Sequence, residues 1–434
     1  PHPAMYEFKK LVQPIRIECT DAKSATFKIT NTDFFRSSDW LRPFWQVEVE
    51  GKVVQRGRLP VINLAPQESG TVTLPKNPLQ IRAGEECFAT LSFTTRGATP
   101  WCDANHVVAW EQEKLQVPVK GRRKRRKPIG AYKLIEKPGV IKLENPENGI
   151  VSEFNTTTTA LEKLTKNNNP VLVSGPRFNI WRAPLDNDGV KGKHEQWHAD
   201  WKPLGRWMNA GLNELTLADA KTDIDTESNG HITIDSTLRY LCAGNDHGFT
   251  HRQKFMFCPD GTIRMENTFL MDDELADPPR LGLRMTVAPG FETLRYFGRG
   301  PTENYVDRKF AAAIGLYEGS VSEQYVPYIL PQENGNKEDV RWLELSNDNR
   351  LKMRVEAMNK PFGFSAHHFT PEDLTQAYHT NEVPHRDEIT LLIDATQRGV
   401  GTASCGPDTL QKYRIKNRPY NLEIRLFLTG NRNK

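Results

Sequence analysis

Phe255-Met256-Phe257-Cys258-Pro259-Asp260-Gly261-Thr262-Ile263-Arg264-Met265 is the stretch that decides the fold class. Two short apolar runs flank Pro-Asp-Gly, in which proline presets φ, aspartate bonds its own turn and glycine accepts a positive φ. The segment reads as a β-hairpin. Working outward, runs of the same kind recur at Ile232-Thr233-Ile234, Leu283-Arg284-Met285-Thr286-Val287, Leu351-Lys352-Met353-Arg354-Val355, Ile389-Thr390-Leu391-Leu392-Ile393 and Leu422-Glu423-Ile424-Arg425-Leu426. Residues 131–434 are too many for one small sandwich, so a two-sheet β super-sandwich is expected there. No fixed-period repeat and no alternation of strand and helix suggests a (β/α)₈ barrel.

Further upstream, residues 15–119 carry six or seven turn-bounded runs, among them Ile15-Arg16-Ile17, Ala25-Thr26-Phe27-Lys28-Ile29, Trp45-Gln46-Val47-Glu48-Val49, Thr71-Val72-Thr73-Leu74, Phe88-Ala89-Thr90-Leu91 and Leu115-Gln116-Val117. That density predicts an immunoglobulin-like sandwich. Met5, Phe8 and Val12 share a helical face ahead of Pro14, which predicts one short helix. Between the two sandwiches, residues 120–130 hold seven basic side chains from Lys120 to Lys127 with no apolar periodicity, and read as a solvated linker.

With 58 Lys and Arg against 54 Asp and Glu, the net charge of +4 is that one run's doing; the remainder is slightly acidic. No basic face for nucleic acid is left, and no aromatic interleaves the run for base stacking. A hydrophobic content of 37% supports a sizeable core, while no apolar stretch approaches the ~20 residues of a membrane span. Cys19, Cys87, Cys102, Cys242, Cys258 and Cys405 form neither C-x-x-C pairs nor a dense framework, which fits a reducing compartment, the cytoplasm. Pro1 is not an initiator residue, so the natural start is expected upstream.

His194-Glu195-Gln196-Trp197-His198 fits the zinc-binding H-E-x-x-H pattern. Trp197, Trp201, Leu204 and Met208 form an apolar stripe and Pro203 breaks a long helix, so the favoured reading is a Trp-rich docking segment with no metal. His367 and His368, with acids such as Glu423, could furnish acid/base groups, although neighbours on a strand point to opposite faces. Two segments are denser in polar groups. Trp181-Arg182-Ala183-Pro184-Leu185-Asp186-Asn187-Asp188-Gly189 suits an arginine–carboxylate clamp around a loop. In Gly298-Arg299-Gly300-Pro301-Thr302-Glu303-Asn304-Tyr305-Val306-Asp307-Arg308, the charges of Arg299, Glu303, Asp307 and Arg308 can pair internally. A buried polar network that fixes the fold explains both equally well.

These two segments, followed by Tyr328-Ile329-Leu330-Pro331-Gln332-Glu333-Asn334-Gly335, resemble in sequence and order the C-terminal region of the β-galactosidases of glycoside hydrolase family two. Residues 3–15, with Glu7, Lys9, Gln13 and Pro14, are similar to the end of that family's catalytic barrel, so the resemblance covers essentially the whole chain. It implies that residues 1–14 end an absent barrel, that 15–119 are an immunoglobulin-like domain, and that 131–434 are a large sandwich of the galactose mutarotase-like type. Both catalytic carboxylates of such retaining enzymes lie on the barrel, so no catalytic residue is assigned here. The resemblance further implies that Asp186, Asn187, Asp188 and Gly189 border the sugar site, that a mobile loop spans Gly189 to about Lys193, and that Gly399–Pro407 brings Cys405 to that site. The best-known members have tryptophan where Cys405 stands and other members have a cysteine in this loop; a thiol lacks an indole's stacking face.

The expected partners are the barrel portion of the same enzyme and a β-galactoside such as lactose. A homo-oligomer is left open, and neither nucleic acid nor membrane is expected. No cofactor is expected in this chain, and any magnesium or sodium would be held through the barrel. The rival readings are a free-standing carbohydrate-binding protein and a sugar mutarotase.

Overall fold

The computed structural model describes residues 2–120, 130–275 and 277–430. It divides into two compact units, Pro1–Arg125 with Phe310–Leu316, and Arg126–Lys309 with Tyr317–Lys434. The linker reading of 120–130 lies, apart from Lys120 and Gly130, outside the described residues.

The first unit opens with the helix Pro3–Leu11, which has proline in its first turn, where a missing N–H costs nothing. Seven strands then form two antiparallel sheets. One contains Ile15–Asp21, Thr26–Asn31 and Ser69–Thr73; the other contains Lys52–Arg58, Leu41–Val49, Cys87–Thr95 and Val107–Lys114. Period-two burial builds the interior: Leu41, Trp45 and Val47 from one sheet face Phe27 and Ile29 from the other. The expected strand Leu115–Val117 is not one. The strand ends at Lys114, and the backbone N–H groups of Leu115 and Gln116 instead reach the carbonyls of Cys87 and Ala22.

The second unit holds two nine-stranded sheets. The first runs in spatial order Lys337–Val340, Phe362–His367, Ile389–Gln397, Arg280–Val287, Asn169–Asn179, Ala160–Lys166, Ile150–Asn155, Val140–Asn145 and Lys133–Lys137. The second runs from Leu215–Thr226 through Ile232–Cys242, Gly248–Phe257, Ile263–Met271, Tyr420–Thr429, Lys352–Ala357, Trp342–Ser346 and Thr293–Gly300 to Ala313–Ser320, of which residues 317–320 belong to this unit. Their inner faces share one apolar core that includes Phe255, Met265, Leu283, Phe364, Ile393 and Ile424. The hairpin forms as read: Phe257 pairs with Ile263, the Cys258 N–H bonds the Thr262 carbonyl at 2.9 Å, and Gly261 takes φ +80°. The chain is all-β, with two sandwiches in series.

Candidate functional site

Within the second unit, four loops that are distant in sequence are tied together by charge-assisted hydrogen bonds. Arg182 and Asp188, both without exposed side-chain surface, close the first: Nη2 lies 2.8 and 2.9 Å from the two carboxylate oxygens. The Leu185 N–H adds a third bond to Asp188 at 3.1 Å. The other end of the Arg182 guanidinium donates to the carbonyl of Arg398. Arg398 is itself held by Asp277 at 2.8 Å, Asp408 at 2.6 Å and Thr409 at 2.8 Å. Buried guanidinium groups of this kind are tolerable because every charge has an opposite partner with good geometry.

Loop 399–407 is gripped by opposite chemistry on its two backbone faces. The Asn187 side-chain amide donates to the carbonyls of Val400 (2.8 Å) and Gly401 (2.6 Å), and its oxygen accepts from the Ser404 N–H (3.2 Å) and hydroxyl. From elsewhere in the fold, Asp307 accepts the N–H groups of Val400 (2.9 Å) and Gly401 (2.8 Å). Glycine is required here: Gly401 sits at φ +61°, and a Cβ on Gly399 would fall 2.6 Å from the Asp307 carboxylate. Buried Lys202 reaches the Ala403 carbonyl from below. The result is a fixed turn that leaves Cys405 exposed, next in the chain to Ser404, which half-buried Asn187 holds. The amide of Gln332 links Asp186 to the Pro331–Gly335 segment.

Of the five residues expected to border a ligand, Asn187 is tied to the loop that carries exposed Cys405, half-buried Asp186 precedes Asn187 in the chain, and Asp188 and Gly189 are buried. Asp188 faces inward with both oxygens engaged by Arg182. Gly189 is buried, and an added Cβ would lie 3.0 Å from the Leu204 side chain. The segment after it, expected as a mobile loop, is tied down by Lys191, whose buried ammonium donates to the carbonyls of Leu374 and Ala377. Desolvation pulls that ammonium down to about 8.

The second polar segment pairs internally in part. Glu303 accepts from Arg308, as expected, and also from the Tyr328 hydroxyl and the Gly335 N–H (2.8 Å). Arg299 instead pairs with Asp339, and Asp307 serves loop 399–407. Arg280, buried between Glu333 (2.6 Å) and Asp394 (3.0 Å), was not singled out from sequence, and neither was Arg398. Their partners lie from ten to more than a hundred residues away, and no local pattern marks such a pair.

The other candidates resolve as structural. His194–Gln196 is a single 3₁₀ turn and Pro203 begins the separate helix Pro203–Asn209, so the one continuous helix that H-E-x-x-H needs is not built. His198 bonds Asn209 at 2.9 Å. The expected stripe is broken with it: Leu204 is buried, whereas Trp201 is 66% exposed. His367, on one sheet, lies 3.0 Å from the Asn334 carbonyl, while Glu423 lies on the other sheet. His368 is held by Glu292 at 2.7 Å and by the Arg386 carbonyl at 2.8 Å. Among the described residues, no three His, Cys, Asp or Glu side chains converge as a metal site, and no helix is long and apolar enough to cross a membrane.

An all-β chain whose large two-sheet sandwich carries a clamped loop rim defines the class. The chain belongs to the family described as β-galactosidase small chain, which matches residues 147–426; residues 27–116 match β-galactosidase domain 4. It is 29% identical to the β-galactosidase of Arthrobacter sp. (strain B7) over 98% of this chain and 42% of that protein. The enzyme of Pseudoalteromonas haloplanktis is 28% identical over 99% of this chain and 41% of its own length. That of Vibrio cholerae serotype O1 is 30% identical over 92% of this chain and 37% of its own length. The chain therefore spans about two-fifths of the length of the curated relatives it matches. Among solved structures, galactose 1-epimerase from Lactobacillus acidophilus NCFM aligns with 69% of this chain and 98% of its own at 14% identity, with a TM-score of 0.34, too partial a likeness to carry an argument.

Proposed function

We propose that this chain is the C-terminal part or subunit of a β-galactosidase that hydrolyses terminal non-reducing β-D-galactose residues, with lactose among its substrates. In this reading both catalytic carboxylates stand on a barrel outside the chain, and the loop rim walls part of the active-site mouth in the cytoplasmic enzyme. The observation that carries the reading is the double grip of Asn187 and Asp307 on loop 399–407, the turn that leaves Cys405 exposed. Asp186, Asn187 and Cys405 border the sugar; Asp188 and Gly189 act by holding the loop. No cofactor is required of these residues, and magnesium or sodium, where the whole enzyme holds them, belongs with the barrel.

The first unit supports the need for a further partner. Met5, Phe8 and Leu11 on its opening helix are 53%, 56% and 67% exposed, and Phe34 and Phe35 are 73% and 98% exposed. Contiguous exposed apolar surface marks interaction sites, and the barrel portion is the partner proposed for it. The rim reading is tested with the complete enzyme carrying Cys405→Trp. An indole at this position adds a stacking surface of about 1 kcal/mol, so KM for lactose falls about fivefold. An unchanged KM in an active, folded variant contradicts the placement of Cys405 at the sugar.

A further inference from the structure

A cleft of about 400 Å³ opens in the second unit, lined among others by Arg177, Phe178, Trp181, Asn213, Arg284 and Glu372. It uses none of the rim residues. Arg177 and Arg284 stand directly opposite each other on adjacent antiparallel strands, a placement in which like charges repel. Each is answered by a carboxylate: Glu162 lies 3.0 Å from Arg177, and Glu372 takes Arg284 with both oxygens, at 2.8 and 2.9 Å. The wall is therefore charge-balanced and presents donors beside acceptors, on pairs that remain partly open to solvent.

It is also preorganised. Glu372 lies in the first turn of the helix Pro371–Gln376, which is closed by a capping box between Thr370 and Asp373. The Trp181 indole N–H reaches Thr375 on the same helix at 3.4 Å, and half-buried Phe178 stacks on Phe269 with ring centroids 5.3 Å apart. Asn213 contributes an exposed amide.

An anion would have to displace a carboxylate from an arginine, and an apolar ligand would desolvate both ion pairs without replacing their hydrogen bonds. Vicinal hydroxyls of a pyranose each donate and accept, and the ring's C–H face suits an aromatic edge. We propose that this cleft binds a neutral mono- or disaccharide, at a site separate from the loop rim and independent of the function proposed above.

The test is saturation-transfer NMR on the 434-residue chain with galactose, lactose and, as anionic probe, methyl glucuronide. The expected result is transfer to the neutral sugars at millimolar concentration, weakened at least tenfold by Arg284→Met and by Asn213→Leu. Asn213 is exposed, so its substitution keeps the test valid if Arg284→Met does not fold. Absence of transfer, preference for the glucuronide, or transfer lost with Asn187→Ala and kept with Asn213→Leu overturns the proposal.

Discussion

Asp188 is a carboxylate with no exposed surface, and its value to the protein is measured by what its loss leaves behind. Without it the Arg182 guanidinium keeps its charge in the interior and retains mainly carbonyl partners. Breaking a buried pair from one side costs about 3–5 kcal/mol, so Asp188→Ala should lower the unfolding free energy of the second unit by that amount. A loss below about 1 kcal/mol in equilibrium unfolding would show that the clamp does not hold the loop. His367 and His251 give the pH counterpart. Burial holds their imidazoles down to about 3 and about 4, against an ordinary value of 6.5. Below pH 6.5 the unfolded chain binds protons that the native chain refuses, so the stability present above that pH is lost as the pH falls toward those values. Each group should remove about 1 kcal/mol between pH 6.5 and 5.5. Thermal unfolding of His367→Gln across that interval should therefore show a shallower pH dependence than the parent; an identical slope contradicts a neutral buried His367.

At the scale of elements, the opening helix and the gripped loop behave oppositely. The helix Pro3–Leu11 exposes its apolar face, so Phe8→Asp with Leu11→Asp should change the unfolding free energy of this chain by no more than about 0.5 kcal/mol each. A destabilisation of several kcal/mol would mean that those side chains are interior within the chain. What the sequence makes legible follows the range of the interactions. The hairpin around Pro259-Asp260-Gly261 is visible because turn chemistry and alternation are local, and the Arg182–Asp188 clamp is visible because its ends are six residues apart. Lys52–Arg58 and Val107–Lys114 escape notice because alternation is weak where a strand is exposed on most of its length or its outward side is half-covered. Asn187 bonds a loop more than two hundred residues onward, and only the family resemblance suggested that neighbourhood. The resemblance named Asp188 and Gly189 without distinguishing them from their exposed neighbours, since burial at a single position is not written in a motif.

For the molecule as a whole, the family is established across most of the chain, while the chain spans about two-fifths of its relatives' length. The account assigns this portion no catalytic carboxylate and gives it the task of shaping a site completed by the barrel. One measurement tests that directly: turnover of a chromogenic β-galactoside by rigorously purified 434-residue chain, beside the complete enzyme in which the barrel is supplied by the same polypeptide or by a second subunit. The account predicts hydrolysis by the complete enzyme and none above background by the chain alone. Turnover by the chain, abolished by substituting one of its own residues, or an inactive complete enzyme, would contradict it.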